Sequence, residues 1–260
     1  MSWNSHRPRK KWGQNFLIQP HLCRRIVSLL NPSGRDSILE IGPGMGALTE
    51  ILLECGCNYV GVERDMDLAR YVRERLEISS VVVMDALSLA WEKIGSSPIN
   101  KIIGNLPYNI ASRLIWDLSC VSMGYEKMVF TVQKEVAERI CASPGDRNYG
   151  PLGVWVQTFC TPRMEFLIPP GAFHPRPKVY SAVISLIPGG IGEALGEEEK
   201  KRLAGVLKFC FRAPRKQLGN ILKRVWSSDI EGFFKTQGLD RRMRPCELTP
   251  AHYIGLSALL

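Results

Sequence analysis

The stretch Ile38-Leu39-Glu40-Ile41-Gly42-Pro43-Gly44-Met45-Gly46-Ala47 reads as a short buried strand running into a glycine-rich turn. Glycine tolerates positive backbone angles and lets a ligand press against the main chain, so the turn is a candidate cradle. With Ala47 it also satisfies the relaxed dinucleotide pattern G-x-G-x-x-G/A, and at this point a nicotinamide or flavin enzyme fits equally well. Outward from it, the apolar segments 58–62, 80–84 and 101–103 read as further short strands, and the charged amphipathic stretches 46–55 and 65–77 as helices between them. This alternation specifies an α/β fold with a parallel, doubly wound sheet and helices on both faces. Ligands of such sheets bind at the carboxyl ends of the strands.

Strand patterns recur at 127–132 and 179–187, separated by a helical stretch at 133–141 and a Pro- and Gly-rich segment. Pro188-Gly189-Gly190 marks a boundary. Beyond it Leu203, Val206, Leu207, Cys210 and Phe211 keep helical spacing, as do Leu218, Ile221, Leu222, Val225 and Trp226. The expected organisation is a ligand-binding domain over 1–190 and a small helical domain over 191–260.

A chain of 260 residues with 45% hydrophobic and 23% charged residues is long and apolar enough for a sizeable core. No run reaches the roughly 18 apolar residues of a membrane span, and no apolar segment follows the basic amino end, so neither export nor membrane insertion is expected. The eight cysteines are scattered, and the one close pair, Cys55 and Cys57, has a single residue between them. Zinc sites use two to four, so reduced, mostly buried thiols and no metal site are expected, in a cytoplasmic protein. The net charge of +9 lies entirely at the ends. Residues 1–11 carry Arg7, Arg9, Lys10 and Lys11 without an acid, residues 190–260 carry 13 basic and 8 acidic groups, and the stretch between is neutral. Two basic segments flanking a neutral core suggest a polyanion footprint.

Three consecutive strands end in groups suited to a nucleoside. The first ends in the Gly42–Gly46 turn, and the second at Glu63, placed to accept hydrogen bonds from both hydroxyls of a ribose. The third ends at Asp85, a carboxylate able to accept from an adenine amine. A dinucleotide would satisfy the first two. The fourth strand runs into Asn105-Leu106-Pro107-Tyr108. An adenine amine is a poor nucleophile because its lone pair is delocalised into the ring, so a catalyst must align that nitrogen with a methyl donor and accept its hydrogens. An Asn oxygen and a backbone carbonyl locked by the following Pro can accept two such bonds, and Tyr108 can stack on the base. A nicotinamide enzyme has no use for this tetrapeptide.

These motifs resemble the KsgA/RsmA family of ribosomal RNA adenine dimethyltransferases. The likeness runs from Gly13-Gln14-Asn15-Phe16-Leu17 through the glycine turn, Glu63, Asp85, Asn105–Ile110, Gln133–Ala137, Phe173–Val179 and Ser181–Val183 to Arg212–Lys216. It implies a Rossmann-like methyltransferase domain, a small helical domain that binds the RNA, and S-adenosylmethionine as cofactor. It further implies that a lid segment within residues 1–20 closes over the cofactor through Asn15 and Leu17. Gly42 would then face the methionine end, Glu63 the ribose and Asp85 the adenine, with Gly44 also at the cofactor and Asn105 joining cofactor and substrate. Phe173 would sandwich the target base against Tyr108, consistent with a base taken out of its stack. The implied substrate is two adjacent adenosines near the 3′ end of small-subunit rRNA within a pre-30S particle, modified by a monomer. Gln19, Ala111 and Tyr180 depart from the family's usual Asp, Ser or Thr, and acid. The Erm-type enzymes of large-subunit rRNA share the cofactor motifs, but Leu106, Gln133-Lys134-Glu135 and the Phe173–Lys178 segment resemble the small-subunit group. A non-catalytic descendant, such as the mitochondrial transcription factors of this fold, would not need Glu63, Asp85 and Asn105–Tyr108 together.

Overall fold

The computed structural model describes residues 13–91, 98–121 and 124–260; Arg7, Arg9, Lys10 and Lys11 lie outside the described residues. Its elements are β1 (Phe16–Leu17), α1 (Pro20–Leu30), β2 (Ser37–Ile41), α2 (Thr49–Glu54), β3 (Asn58–Glu63), α3 (Met66–Leu76), β4 (Val81–Val83), β5 (Lys101–Asn105), α4 (Ala111–Ser119), β6 (Lys127–Gln133) and α5 (Lys134–Cys141). There follow α6 (Pro151–Phe159), β7 (Cys160–Ile168), β8 (Phe173–His174), β9 (Ser181–Pro188), α7 (Glu197–Cys210), α8 (Leu218–Ile221), α9 (Ser228–Thr236) and α10 (Pro250–Ser257).

A seven-stranded sheet has the order β4-β3-β2-β5-β6-β9-β7. The strands from β4 to β6 are parallel, and β9 runs antiparallel to β6. Strand β2 is almost wholly buried, as the apolar run Ile-Leu-Glu-Ile requires of a central parallel strand. Chain order reverses at β2, whose neighbours are β3 and β5, so the crevice expected of this architecture opens beyond Ile41 and Asn105. Gly104 permits that pairing: a Cβ there would lie 2.6 Å from the Ile41 carbonyl oxygen. Helix α3 starts where the Asp65 carboxylate accepts the Asp67 amide and stops at Glu77 in the left-handed region. At the opposite, amino-terminal end of the central strands, Lys101 Nζ lies 2.9 Å from Asp36, which also accepts from Asn100 and Ser33.

The chain forms two compact units, one of the described residues up to Ala137 with Arg163–Pro188, the other of Glu138–Pro162 with Gly189–Leu260. The stretch 138–162 thus belongs with the helical unit beyond Pro188. Backbone hydrogen bonds hold it there, from Gly190 N–H to Phe159 O at 3.0 Å, Gly192 to Thr158 at 2.8 Å and Gly145 to Cys246 at 2.7 Å. Within that unit α10 packs on α7, α6 and α9, around the fully buried Tyr253, Leu203 and Leu207.

The structure corrects three expectations. The helical spacing over 218–226 yields a helix only at 218–221; residues 223–225 form a turn and Val225 is exposed. The Pro- and Gly-rich segment contains α6 and the nine-residue β7, an edge strand and so tolerant of Pro162. All eight cysteines are free, but only Cys23, Cys160 and Cys210 are buried. No helix among the described residues is long and apolar enough to cross a membrane, and no group of three metal-ligating side chains occurs among them.

Candidate active site

The parallel strands deliver their last residues to one cavity. Its lining includes Asn15, Leu17, Gly42, Gly44, Glu63, Asp85, Asn105, Leu106, Pro107 and Tyr108, joined by Glu40 and Arg64. Every residue expected at the cofactor or catalytic site except Phe173 is on that wall.

Gly42 and Gly44 have φ of 72° and 59°, in the left-handed region that the turn demands. A Cβ on Gly42 would meet nothing within 4 Å, so the main chain there is bare toward the cavity. Glu63 fixes the turn from below: its Oε2 accepts the Gly44 N–H at 3.0 Å and its Oε1 the Asp65 N–H at 2.9 Å. Burial pushes its carboxyl pKa up, against the pull of these amides. Each carboxylate oxygen retains a second lone pair, which suits the two hydroxyls of a ribose. At the mouth, Asp85 Oδ1 accepts the Leu87 N–H at 3.0 Å and Oδ2 pairs with Arg64 at 3.2 Å. The free main chain, the two-oxygen acceptor and the second acid together fit S-adenosylmethionine.

Asn105 closes β5 with its side chain half-buried. Its Nδ2 donates to the Asn15 carbonyl oxygen at 2.7 Å. A carbonyl cannot pair with the amide's oxygen, so this contact settles which way the amide points and leaves Oδ1 as an acceptor. The Leu106 N–H donates to Thr131 O at 3.1 Å, and its carbonyl precedes Pro107. Tyr108 is half-buried, with its hydroxyl 2.5 Å from the Ser181 hydroxyl.

The segment 13–17 is strapped across these groups. Gln14 Nε2 approaches Asp65 at 3.4 Å, and the Phe16 ring covers Gly44 so closely that a Cβ there would sit 3.1 Å from it. β1 pairs antiparallel with β8, matching Leu17 to Phe173. Gln19 stands at the N-cap of α1 and makes no side-chain cap; a shorter acid would supply one.

Phe173 is the exception. It is 3% exposed and packs in the apolar cluster of Leu17, Ile168 and Ala172. Its ring lies beside Leu17, its strand partner from the strap.

The residue that sequence reasoning left without a role is Glu40, 1% exposed, accepting from Thr49 at 2.6 Å and Tyr59 at 2.8 Å. Burial drives its pKa up to about 7; those hydrogen bonds pull it down, and the charge of Glu63 pushes it further up. An acid inside an otherwise apolar strand was the available signal, but Thr49 and Tyr59 become its partners only in three dimensions.

The model of the family described as ribosomal RNA adenine dimethylase matches residues 5–260. The ribosomal RNA small subunit methyltransferase A of Oleidesulfovibrio alaskensis is 42% identical over 98% of this chain and 91% of its own. Its namesake from Maridesulfovibrio salexigens is 41% identical over 96% and 95%. Among solved structures, a dimethyladenosine transferase from Plasmodium falciparum superposes with a TM-score of 0.77 at 24% identity, covering 93% of this chain and 95% of that one. The 23S rRNA methyltransferase ErmE gives 0.70 at 23%, covering 95% and 99%. These last two likenesses establish the Rossmann-like fold, while the family model and sequence relatives go further: the chain belongs to the ribosomal RNA adenine dimethylase family of S-adenosylmethionine-dependent enzymes.

Proposed function

We propose that the protein transfers methyl groups from S-adenosylmethionine to N6 of two adjacent adenosines near the 3′ end of small-subunit (16S) rRNA, giving N6,N6-dimethyladenosine. In this reading it acts as a cytoplasmic monomer on a pre-30S particle. The observation that carries the chemistry is the amide of Asn105, turned by the Asn15 carbonyl so that its oxygen is left to accept. The names of the sequence relatives favour the small subunit over the large.

Bound in the cavity, S-adenosylmethionine supplies an electrophilic methyl group. The chain's own part is positional and electrostatic. Glu63 receives the ribose, Asp85 the adenine amine, and the bare main chain at Gly42 the methionine end. Asn105 Oδ1 and the Leu106 carbonyl, its direction restricted by Pro107, accept the two hydrogens of the target N6. As that nitrogen attacks and gains positive charge, both bonds strengthen, so they favour the transition state over the ground state. No strong base is needed, since the nitrogen becomes acidic once alkylated and releases its proton to water. Tyr108 offers its face to the extruded base. A monomethylated nitrogen still carries one hydrogen and can turn for the second transfer.

On the helical unit, Arg212, Arg215, Lys216, Lys223 and Arg224 are exposed and supply contacts to phosphates, which position an RNA without reading its sequence. Backbone hydrogen bonds from Leu218 and Gly219 to Met243 and Arg241 lace this segment to a second basic stretch, Arg241, Arg242 and Arg244.

The test is methylation of small ribosomal subunits from a strain lacking the modification, with the modified adenosines mapped. The wild type should dimethylate two adjacent adenosines near the 3′ end, and Asn105→Ala should lower turnover about a hundredfold or more. Modification of large-subunit RNA alone, or full activity of Asn105→Ala, would refute the reading.

A further inference from the structure

We propose that Ser181 is a positioning residue of the active site, acting through the phenol of Tyr108 to hold the ring as a preset wall for the target base. The proposal rests on Tyr108 being the base platform. Tyr108 stands in a turn after Pro107, whose carbonyl accepts the N–H groups of Ile110 and Ala111 at 3.1 Å each. That turn fixes the main chain but neither side-chain torsion of the tyrosine. The tip is held elsewhere: Tyr108 Oη lies 2.5 Å from Ser181 Oγ.

Ser181 is fully buried, opens β9 and pairs with Gln133 at the end of β6. Its position is therefore set by the sheet ladder and not by the loop that carries Tyr108. Burial raises the phenol pKa, so at neutral pH the contact is between two hydroxyls, each the partner of the other. With the tip anchored and the ring half-buried on the cavity wall, a base meets a plane already oriented. The ordering of two torsions is then completed on folding instead of during RNA binding.

The experiment uses the full chain and unmodified small ribosomal subunits. It compares Ser181→Ala, Ser181→Thr, Tyr108→Phe, the Ser181→Ala/Tyr108→Phe double variant and Tyr108→Ala. Ser181→Ala and Tyr108→Phe should each lower methyl transfer roughly three- to tenfold, the range spanned by one lost neutral hydrogen bond. S-adenosylmethionine affinity should stay unchanged, and Ser181→Thr should restore the rate. Thermal stability and activity must then part company in the double variant. Removing both hydroxyls leaves no buried polar group unpaired, so stability should recover toward wild type, while transfer stays as low as in either single variant. If activity recovers with stability, Ser181 has a packing role only and the proposal fails. If Tyr108→Ala is impaired while Ser181→Ala and Tyr108→Phe both match wild type, the platform stands and its anchor does not. If Tyr108→Ala itself methylates normally, the platform reading falls and takes the anchor with it.

Discussion

Glu40→Gln isolates a buried proton under the cofactor turn. In the folded chain burial raises the Glu40 pKa from the ordinary 4.5 to about 7, only partly offset by the hydroxyls of Thr49 and Tyr59. A raised carboxyl pKa means that the native state binds the proton more tightly than the unfolded chain does. Its stabilising contribution is therefore complete below about pH 4.5 and is lost as pH rises through 7. Integrated over the two titrations, the loss is about 2 kcal/mol between pH 5 and pH 7 and levels off near 3 kcal/mol above that. Glutamine keeps an oxygen that both hydroxyls can reach and cannot ionise. Its unfolding free energy should therefore lack this slope, whatever offset its extra N–H groups introduce. Urea unfolding of both proteins at intervals from pH 5 to 8 measures the difference directly, because every other titrating group is shared. If the two curves run parallel, Glu40 is not protonated in the folded chain and the account of this acid is wrong.

Three further predictions concern other parts of the molecule. Glu63→Ala should weaken S-adenosylmethionine binding by roughly 1 to 3 kcal/mol in calorimetry; unchanged affinity in a folded variant would remove Glu63 from the cofactor site. At the amino ends of β2 and β5, burial alone would raise the Asp36 pKa. Hydrogen bonds from Lys101, Asn100 and Ser33 outweigh it and hold the pKa at about 2, so this stability is present above the ordinary carboxylate range and lost as pH falls toward 2. Lys101→Met should cost about 3 kcal/mol by leaving Asp36 buried without its counter-charge, held only by Asn100 and Ser33, and should move acid unfolding to higher pH; an unshifted acid limb would contradict this. Neutralising Arg215, Lys216, Lys223 and Arg224 together should flatten the salt dependence of ribosomal-subunit binding and leave cofactor affinity alone, whereas an unaltered slope would place the phosphate contacts elsewhere.

What the sequence made legible follows from which interactions are local. The glycine turn, Glu63, Asp85 and Asn105 each sit at the end of an apolar run, and parallel pairing alone carries them to the same sheet edge. The strands themselves were visible because buried parallel strands are nearly uniform in character. Contacts made at long separation were not visible. Nothing near Asn105 indicates that the Asn15 carbonyl will orient it, and nothing near Phe173 indicates that its partner will be Leu17 in a two-residue pairing that buries the ring. β7 was hidden for a different reason: an edge strand carrying Pro162, Arg163 and Glu165 shows neither the apolar run of a core strand nor a clean alternation.

The helical unit is assembled from two stretches of chain, 138–162 and 189–260, and this limits how the protein can be taken apart or recombined. A cut after Pro188 leaves behind the α6 helix on which α10 packs, and with it the carbonyls of Thr158 and Phe159 that receive the glycines past the boundary. A carboxyl-terminal fragment would therefore expose an incomplete core, and a shortened enzyme ending at the boundary would carry α6 with its packing partners missing. Exchanging the helical unit between relatives requires three junctions, at 137/138, 162/163 and 188/189, moved together.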